Sequence, residues 1–147
     1  MSWKLFEEAS PQLAGLCFER LNRKIAYLAT LRKDGAPRLH PVTPFIGNGM
    51  LFIFTEPSSP KIRDLNRDSR YALHSTVGGE GPLTEVQVCG KAVAISDPHR
   101  REQAKSIANS PVVSEEYVLF DFQIQRVLLV EYDEEGKPVI HRWIREK

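Results

Sequence analysis

The sequence predicts a mainly β fold, a largely antiparallel barrel of six to seven strands with two or three short helices between them. Three observations predict it. β-prone segments are separated by turns rich in glycine, Lys33-Asp34-Gly35, Gly47-Asn48-Gly49 and Asp133-Glu134-Glu135-Gly136. Residues 84–95 alternate over the length of a long strand, with Val86, Val88, Ala92 and Ala94 on one face and Glu85, Gln87 and Lys91 on the other. The first three strands are joined by turns too short for a parallel crossover, which excludes a doubly wound α/β sheet.

Ser10-Pro11 opens the first helix as an N-cap followed by proline, and Leu13, Leu16, Cys17 and Leu21 then recur at helical spacing. Residues 25–31 form a strand that Asp34-Gly35 turns back into 38–46. Pro41 and Pro44 within it donate no ladder hydrogen bond, so they belong at an edge or a bulge. Gly47-Asn48-Gly49 leads into 50–55, and the three consecutive strands read as a meander. Ser58-Ser59-Pro60 caps a short helix whose buried side carries Ile62 and Leu65, and a strand over 70–76 follows. Gly78-Gly79-Glu80-Gly81 reads as a mobile loop before the strand 84–95. Asp97-Pro98 opens a helix to about Ala108, which Ser110-Pro111 ends. Strands 120–132 and 139–144 pair as a C-terminal hairpin. With no linker or repeat, residues 1–147 are expected to form a single domain.

Hydrophobic residues are 41% of the chain and charged ones 27%, enough for a packed core. A net charge of +1, from 20 basic and 19 acidic residues, offers no global field for nucleic acid or an anionic membrane. The first residues hold no apolar export segment and no run approaches the roughly 20 apolar residues of a membrane span, so a cytoplasmic protein is expected. Cys17 and Cys89 lack CxxC spacing and suggest neither a disulfide framework nor a zinc site. His40, His74, His99 and His141 show no helical pairing or neighbouring carboxylate motif, so no metal site is expected. No Ser-His-Asp or Cys-His spacing identifies a catalytic residue.

Lys61 is the informative cation. It stands in the first turn of the helix opened by Pro60, where the macrodipole disfavours positive charge and a bound anion would relieve it. Free backbone N–H groups, the hydroxyls of Thr55, Ser58 and Ser59, and the guanidinium groups of Arg38 and Arg63 are the ingredients of a phosphate cradle. The same residues also fit a helix that Ser59 merely caps while Lys61 stands in solvent.

A set of motifs runs through the chain in a fairly specific order. They are Ala29-Thr30-Leu31 before Asp34-Gly35-Ala36-Pro37, Leu51-Phe52-Ile53-Phe54-Thr55, Ser59-Pro60-Lys61 with Leu65, Asp68-Ser69-Arg70 and Gly90-Lys91-Ala92. In these the chain resembles the pyridoxamine 5'-phosphate oxidase-like family of flavin split barrels, from Lys24 to about Ile95 with a weaker echo beyond. The resemblance implies a Greek-key, FMN-binding split barrel and an oxidoreductase acting on a small molecule. It implies a phosphate held by Arg38, Thr55, Ser59 and Lys61, and backbone from Leu39, His40, Pro41 and Val42 beside the ring. It also implies a homodimer with the cofactor in a groove between subunits.

There are departures from the true oxidase. Pro60 replaces a second basic residue, Glu85 replaces a glutamine that contacts the flavin, and His141-Arg142-Trp143 only approximates the C-terminal arginine and tryptophan, with Trp143 the candidate to flank the ring. Pyridoxamine phosphate oxidation is therefore not the expected reaction. A relative of the same architecture binds a deazaflavin coenzyme, whose acidic tail Lys4, Arg20, Arg23 and Lys24 would serve if the first helix packs beside the site. A protein that binds flavin or haem without turnover is the other alternative, with His40 or His74 as ligand.

Overall fold

The computed structural model describes residues 2–77 and 83–146; the loop expected at Gly78-Gly79-Glu80-Gly81 lies outside the described residues. The element order is α1 (Ser2–Ala9), α2 (Pro11–Leu21), β1 (Ala26–Leu31), β2 (Pro37–Val42), β3 (Phe45–Gly47), β4 (Met50–Thr55), α3 (Pro60–Arg67), β5 (Arg70–Ser75), β6 (Thr84–Ile95), α4 (Pro98–Ala108), β7 (Val118–Tyr132) and β8 (Pro138–Ile144). The strands form one eight-stranded sheet in the order β2-β1-β5-β6-β7-β4-β3, with β8 on β7, and every pairing is antiparallel. β7 creates the split. One side pairs with β6 throughout, while the other pairs with β4 over residues 118–121 and with β8 over 126–132.

The turn chemistry places these strands. Asn48 and Gly49 both have positive φ, 51° and 76°, as a two-residue hairpin between β3 and β4 requires. Asp97 caps α4 by accepting from the N–H of Arg100 at 2.9 Å, and left-handed Asn109 closes the same helix. α1 was not foreseen. It contributes Trp3 and Phe6 to a core shared with Leu28, Leu73, Val86, Val88, Phe122 and Ile124. A second cluster of Met50, Phe52, Ala104, Ala108 and Leu119 lies under α4. Among the alternating residues of β6, Val86, Val88 and Ala92 are buried, whereas Ala94 near its end is exposed.

The expected meander is corrected. The strand read over 38–46 is two strands, β2 and β3, which stand at opposite ends of the hydrogen-bonded path and do not pair. Pro44 has no N–H, and Thr43 before it is held away from helical backbone, so the ladder breaks there. The chain end of α2 fills the corner instead: the Arg23 N–H donates to the Pro44 carbonyl at 2.8 Å and the Ile46 N–H to Asn22 Oδ1 at 2.9 Å. Pro41 lies on β2, whose only partner among the described strands is β1. No described helix is long and apolar enough to cross a membrane.

Candidate functional site

Alternation along β2 sends Arg38, His40 and Val42 inward, half-buried, and leaves Leu39 and Pro41 exposed. Arg38 stands opposite Thr30 and His40 opposite Leu28 on β1. α3 packs on β1 and β6, with Leu65 in the core and Asp64 turned into the barrel at 1% exposure. Ser59 is the N-cap, accepting from the Lys61 N–H at 3.4 Å. Glu56 organises the turn between β4 and α3. Its carboxylate takes the Ser58 N–H at 3.1 Å and also the Ser58 hydroxyl, so that hydroxyl is committed.

Asp64 is the hub of the site. Thr30 Oγ1 donates to it at 2.8 Å, Arg38 Nε at 2.7 Å and Arg67 Nη2 at 3.4 Å. Burial alone would raise its carboxyl, but those bonds, with the charges of Arg38 and Arg67, hold it below its usual range. Burial lowers the Lys61 ammonium, with the charge of Glu56 opposing, and no ion-pair partner reaches Lys61 among the described residues. His40 is pushed down by burial and then by the positive charges of Lys61 and Arg38, which places the three in one electrostatic neighbourhood. Two buried polar atoms here have no hydrogen-bond partner, Thr55 Oγ1 and His40 Nε2. A desolvated cation without a counter-ion, beside unsatisfied polar atoms that include the Thr55 hydroxyl donor, is a site with the chemistry of an anion receptor.

The residues singled out from the sequence fall into two regions. Arg38, Leu39, His40, Pro41, Val42, Ser59, Lys61 and Arg63 lie on β2 and α3, with Thr55 at the end of β4 a short turn before α3. Glu85 and Trp143 are elsewhere. Two strands separate β2 from β6, so Glu85 is about 14 Å or more across the sheet from it. Glu85 accepts from the Tyr132 hydroxyl at 3.0 Å. Trp143 packs its ring 5.1 Å from that of Phe6 and borders an outer-face groove of about 560 Å³ shared with Gln87, Cys89, Arg126, Arg142 and Ile144.

Strand register makes this outer face continuous: Leu39, Ala29, Ala72, Cys89, Arg126 and Ile144 are successive partners from β2 to β8. His74, on the same face, donates its Nδ1–H to the Ser75 carbonyl at 2.6 Å. A larger groove, about 750 Å³, lies between the β1–β2 turn and α3 and is lined by Arg32, Lys33, Asp34, Arg38, Pro60, Arg63, Asp64 and Arg67.

The four N-terminal cations considered for an acidic tail are engaged otherwise. Arg20 donates to Thr84 Oγ1 through Nε at 2.8 Å and Nη2 at 2.6 Å. Arg23 donates to the carbonyls of Ile107 and Ala108 at the end of α4 and stacks over Phe45, 5.4 Å from the ring centre. Lys24 donates to the Glu19 carbonyl, and Lys4 lies 4.0 Å from Glu8. Sequence reasoning missed Asp64 and Thr30 as the pair that fixes Arg38. The one available signal was an aspartate next to Leu65 on the apolar side of a short helix.

The pyridoxamine 5'-phosphate oxidase family model matches residues 18–131. Among solved structures, a haem-binding protein of Mycobacterium smegmatis is similar with a TM-score of 0.67 and 17% identity, over 84% of this chain and 53% of that one. PhzG of Burkholderia lata, solved with tetrahydrophenazine-1-carboxylic acid, gives 0.69 and 13% identity over 98% and 88%. A FAD-binding protein of Mesorhizobium loti gives 0.66 and 22% identity over 82% and 95%. The chain thus spans about half the length of the mycobacterial protein and most of the other two. No curated protein matches the sequence.

Proposed function

The chain belongs to the pyridoxamine 5'-phosphate oxidase family, and from that premise we propose that it is a cytoplasmic oxidoreductase that binds a flavin through its 5'-phosphate. FMN is the flavin whose single terminal phosphate suits the corner formed by β2, the end of β4 and α3. The observation that carries this reading is the set of unsatisfied groups there: the half-buried Lys61 without a counter-ion, Thr55 Oγ1 and His40 Nε2. A phosphate dianion supplies the acceptors and the charge that these groups lack. Lys61 and Arg38 would balance it, Thr55 and the free N–H groups behind Ser59 would donate to it, and Asp64 holds Arg38 in place. When bound, a flavin supplies electron-pair transfer at its ring, and the protein supplies orientation and electrostatics. Leu39, His40, Pro41 and Val42 would flank that ring.

The reading includes a homodimer. Glu85 lies three strand spacings and Trp143 five from β2 along the sheet, and a second copy of the chain would bring such groups to the same flavin. The outer face supports this. Leu39 is 68% exposed, Ile144 62% and Tyr27 42%, around the small side chains of Ala29 and Ala72. Light scattering at micromolar protein with FMN should return a dimer, and a monomer would count against the shared site.

Lys61→Ala is expected to weaken FMN binding by about one to two decades, the worth of a charge-assisted contact of about 1.5 to 3 kcal/mol, with little change in thermal stability. Riboflavin, which lacks the phosphate, should bind both proteins alike. Equal FMN affinity by fluorescence titration would return Lys61 to the role of a solvated side chain.

A second reading has its own observation. His40 Nε2 is buried and unpaired, and its environment keeps the imidazole neutral, as an axial iron ligand must be. A tetrapyrrole binder would show a Soret band in the purified protein, and a flavoprotein the yellow absorbance of oxidised flavin.

A further inference from the structure

We infer that α1 is a strap that closes the split of the barrel and positions Trp143, so that its docking and flavin binding favour one another. The inference rests on the reading that Trp143 serves the flavin of a second copy. It begins at a gap in the sheet. On the side of β7 away from β6, β4 reaches residues 118–121 and β8 residues 126–132, and no described strand stands opposite 122–125. Phe122 and Ile124 in that stretch are fully buried, so backbone groups there need partners other than bulk water. α1, packed on β4 and β7, supplies them. Ser2 Oγ accepts the Ile124 N–H at 2.6 Å and stands 3.5 Å from the Ile124 carbonyl as its donor. Trp3 and Phe6 are buried at 2% and 0% exposure, and the Lys4 N–H ties the helix to the β3–β4 turn through the Gly49 carbonyl at 3.2 Å.

α1 is only eight residues long, and a helix of that length is marginal on its own in water, so its form depends on this seat. Ser10 alone joins it to α2, with φ −147° and ψ 71° outside the helical region, which sets a hinge between the two helices. The rings carry the docking onward. Trp3 meets Phe6 at 5.3 Å edge to face, and Phe6 meets the half-buried Trp143 at 5.1 Å, from the side of the core. β8 has β7 as its one strand partner among the described strands, and Val139, Ile140 and Ile144 along it are exposed. When α1 leaves its seat, the Trp143 ring loses the Phe6 face and can turn. A ligand that prefers the docked ring therefore favours docking, and linkage makes the effect equal in both directions. α1 contributes no residue to the phosphate corner, so Phe6 acts on the flavin through Trp143 and is a positioning residue.

The test is amide hydrogen exchange over residues 2–9 with and without saturating FMN, joined to fluorescence titration of FMN. It uses the native chain, Ser2→Ala, Phe6→Leu, Trp143→Leu and the Phe6→Leu/Trp143→Leu double variant. FMN is expected to slow exchange in α1 of the native chain by about tenfold, a comparison that stands whatever the variants do to folding. Ser2→Ala should speed exchange there by about the same factor, through loss of one buried hydrogen-bonding group. Phe6→Leu keeps apolar bulk without the ring and should weaken FMN binding by about three- to tenfold. The double variant should bind FMN no worse than Trp143→Leu alone, because the two rings act as one unit. Additive losses, or α1 exchange left unchanged by FMN that does bind, would overturn the coupling. Equal exchange in the native and Ser2→Ala chains would overturn the strap. The cofactor reading fails separately: a native chain that binds no flavin would remove it and the coupling together, even where Ser2→Ala shows that α1 closes the split.

Discussion

Gly90→Ala is expected to destabilise the protein by at least about 3 kcal/mol, lowering the midpoint of thermal unfolding by roughly 10 °C. β6 and β7 slip register between Cys89 and Gly90, so that Cys89 faces Arg126 while Gly90 faces Ile124. The backbone of β7 closes on Gly90 at this bulge. A Cβ there would meet the Gln123 carbonyl oxygen at 1.9 Å and its carbon at 2.9 Å. Both are main-chain atoms within the longest ladder of the sheet, so no side chain can swing aside and the strands must part. Gly15→Ala is the control. Gly15 lies on α2 with nothing within 4 Å of its prospective Cβ, and the same methyl group there should stabilise by up to about 1 kcal/mol through helix propensity. The two variants thus bracket the native midpoint from opposite sides. A loss of under about 1 kcal/mol for Gly90→Ala would mean that the bulge relaxes, and that the outer-face register running from Leu39 to Ile144 is not rigid.

What was legible in the sequence depended on how local the cause was. Twelve alternating residues and two proline-led caps sufficed for β6, α3 and α4, since alternation and capping act between near neighbours. α1 carried no such signal: it is eight residues long, lacks a proline-led cap, and owes its burial to Trp3 and Phe6 meeting strands distant in sequence. The separation of β2 from β3 was half visible in Pro44, but the groups that replace the ladder, Asn22 and Arg23, come from another element. The candidate site divided in the same way. Arg38 and His40 share a face through strand period, and Lys61 follows from the cap. That Asp64 and Thr30 would brace Arg38, or that Arg20 and Arg23 would be spent on Thr84 and α4, depends on tertiary approach that no spacing encodes.

Asp64→Asn is expected to cost about 3 kcal/mol at neutral pH, because it removes the charge from a buried hub and leaves two guanidinium groups facing a neutral amide. The shape is conserved, so the loss reports charge and hydrogen bonding. One amide atom still accepts from Thr30 or Arg38, while the new N–H₂ points donors at a donor. The sign of the pH dependence follows from the shift. The folded carboxyl is held below its ordinary value of 3.8, so its stabilisation is fully present above that value and is lost as pH falls through the lower folded one. The gap between native and variant stability should therefore be constant above about pH 5 and narrow below about pH 4. Asp121 pulls the other way in both proteins: burial raises its carboxyl despite Arg100 at 3.5 Å, so the folded state takes up its proton first and gains stability as pH falls. Its contribution cancels in the difference, because the two sites share no partner. Urea titrations of both proteins at several pH values measure the gap directly. A gap that stays constant down to pH 3 would assign the loss to altered packing, and a gap below about 1 kcal/mol would mean that Arg38 and Arg67 simply turn to solvent, so that Asp64 does not hold Arg38 against the phosphate corner.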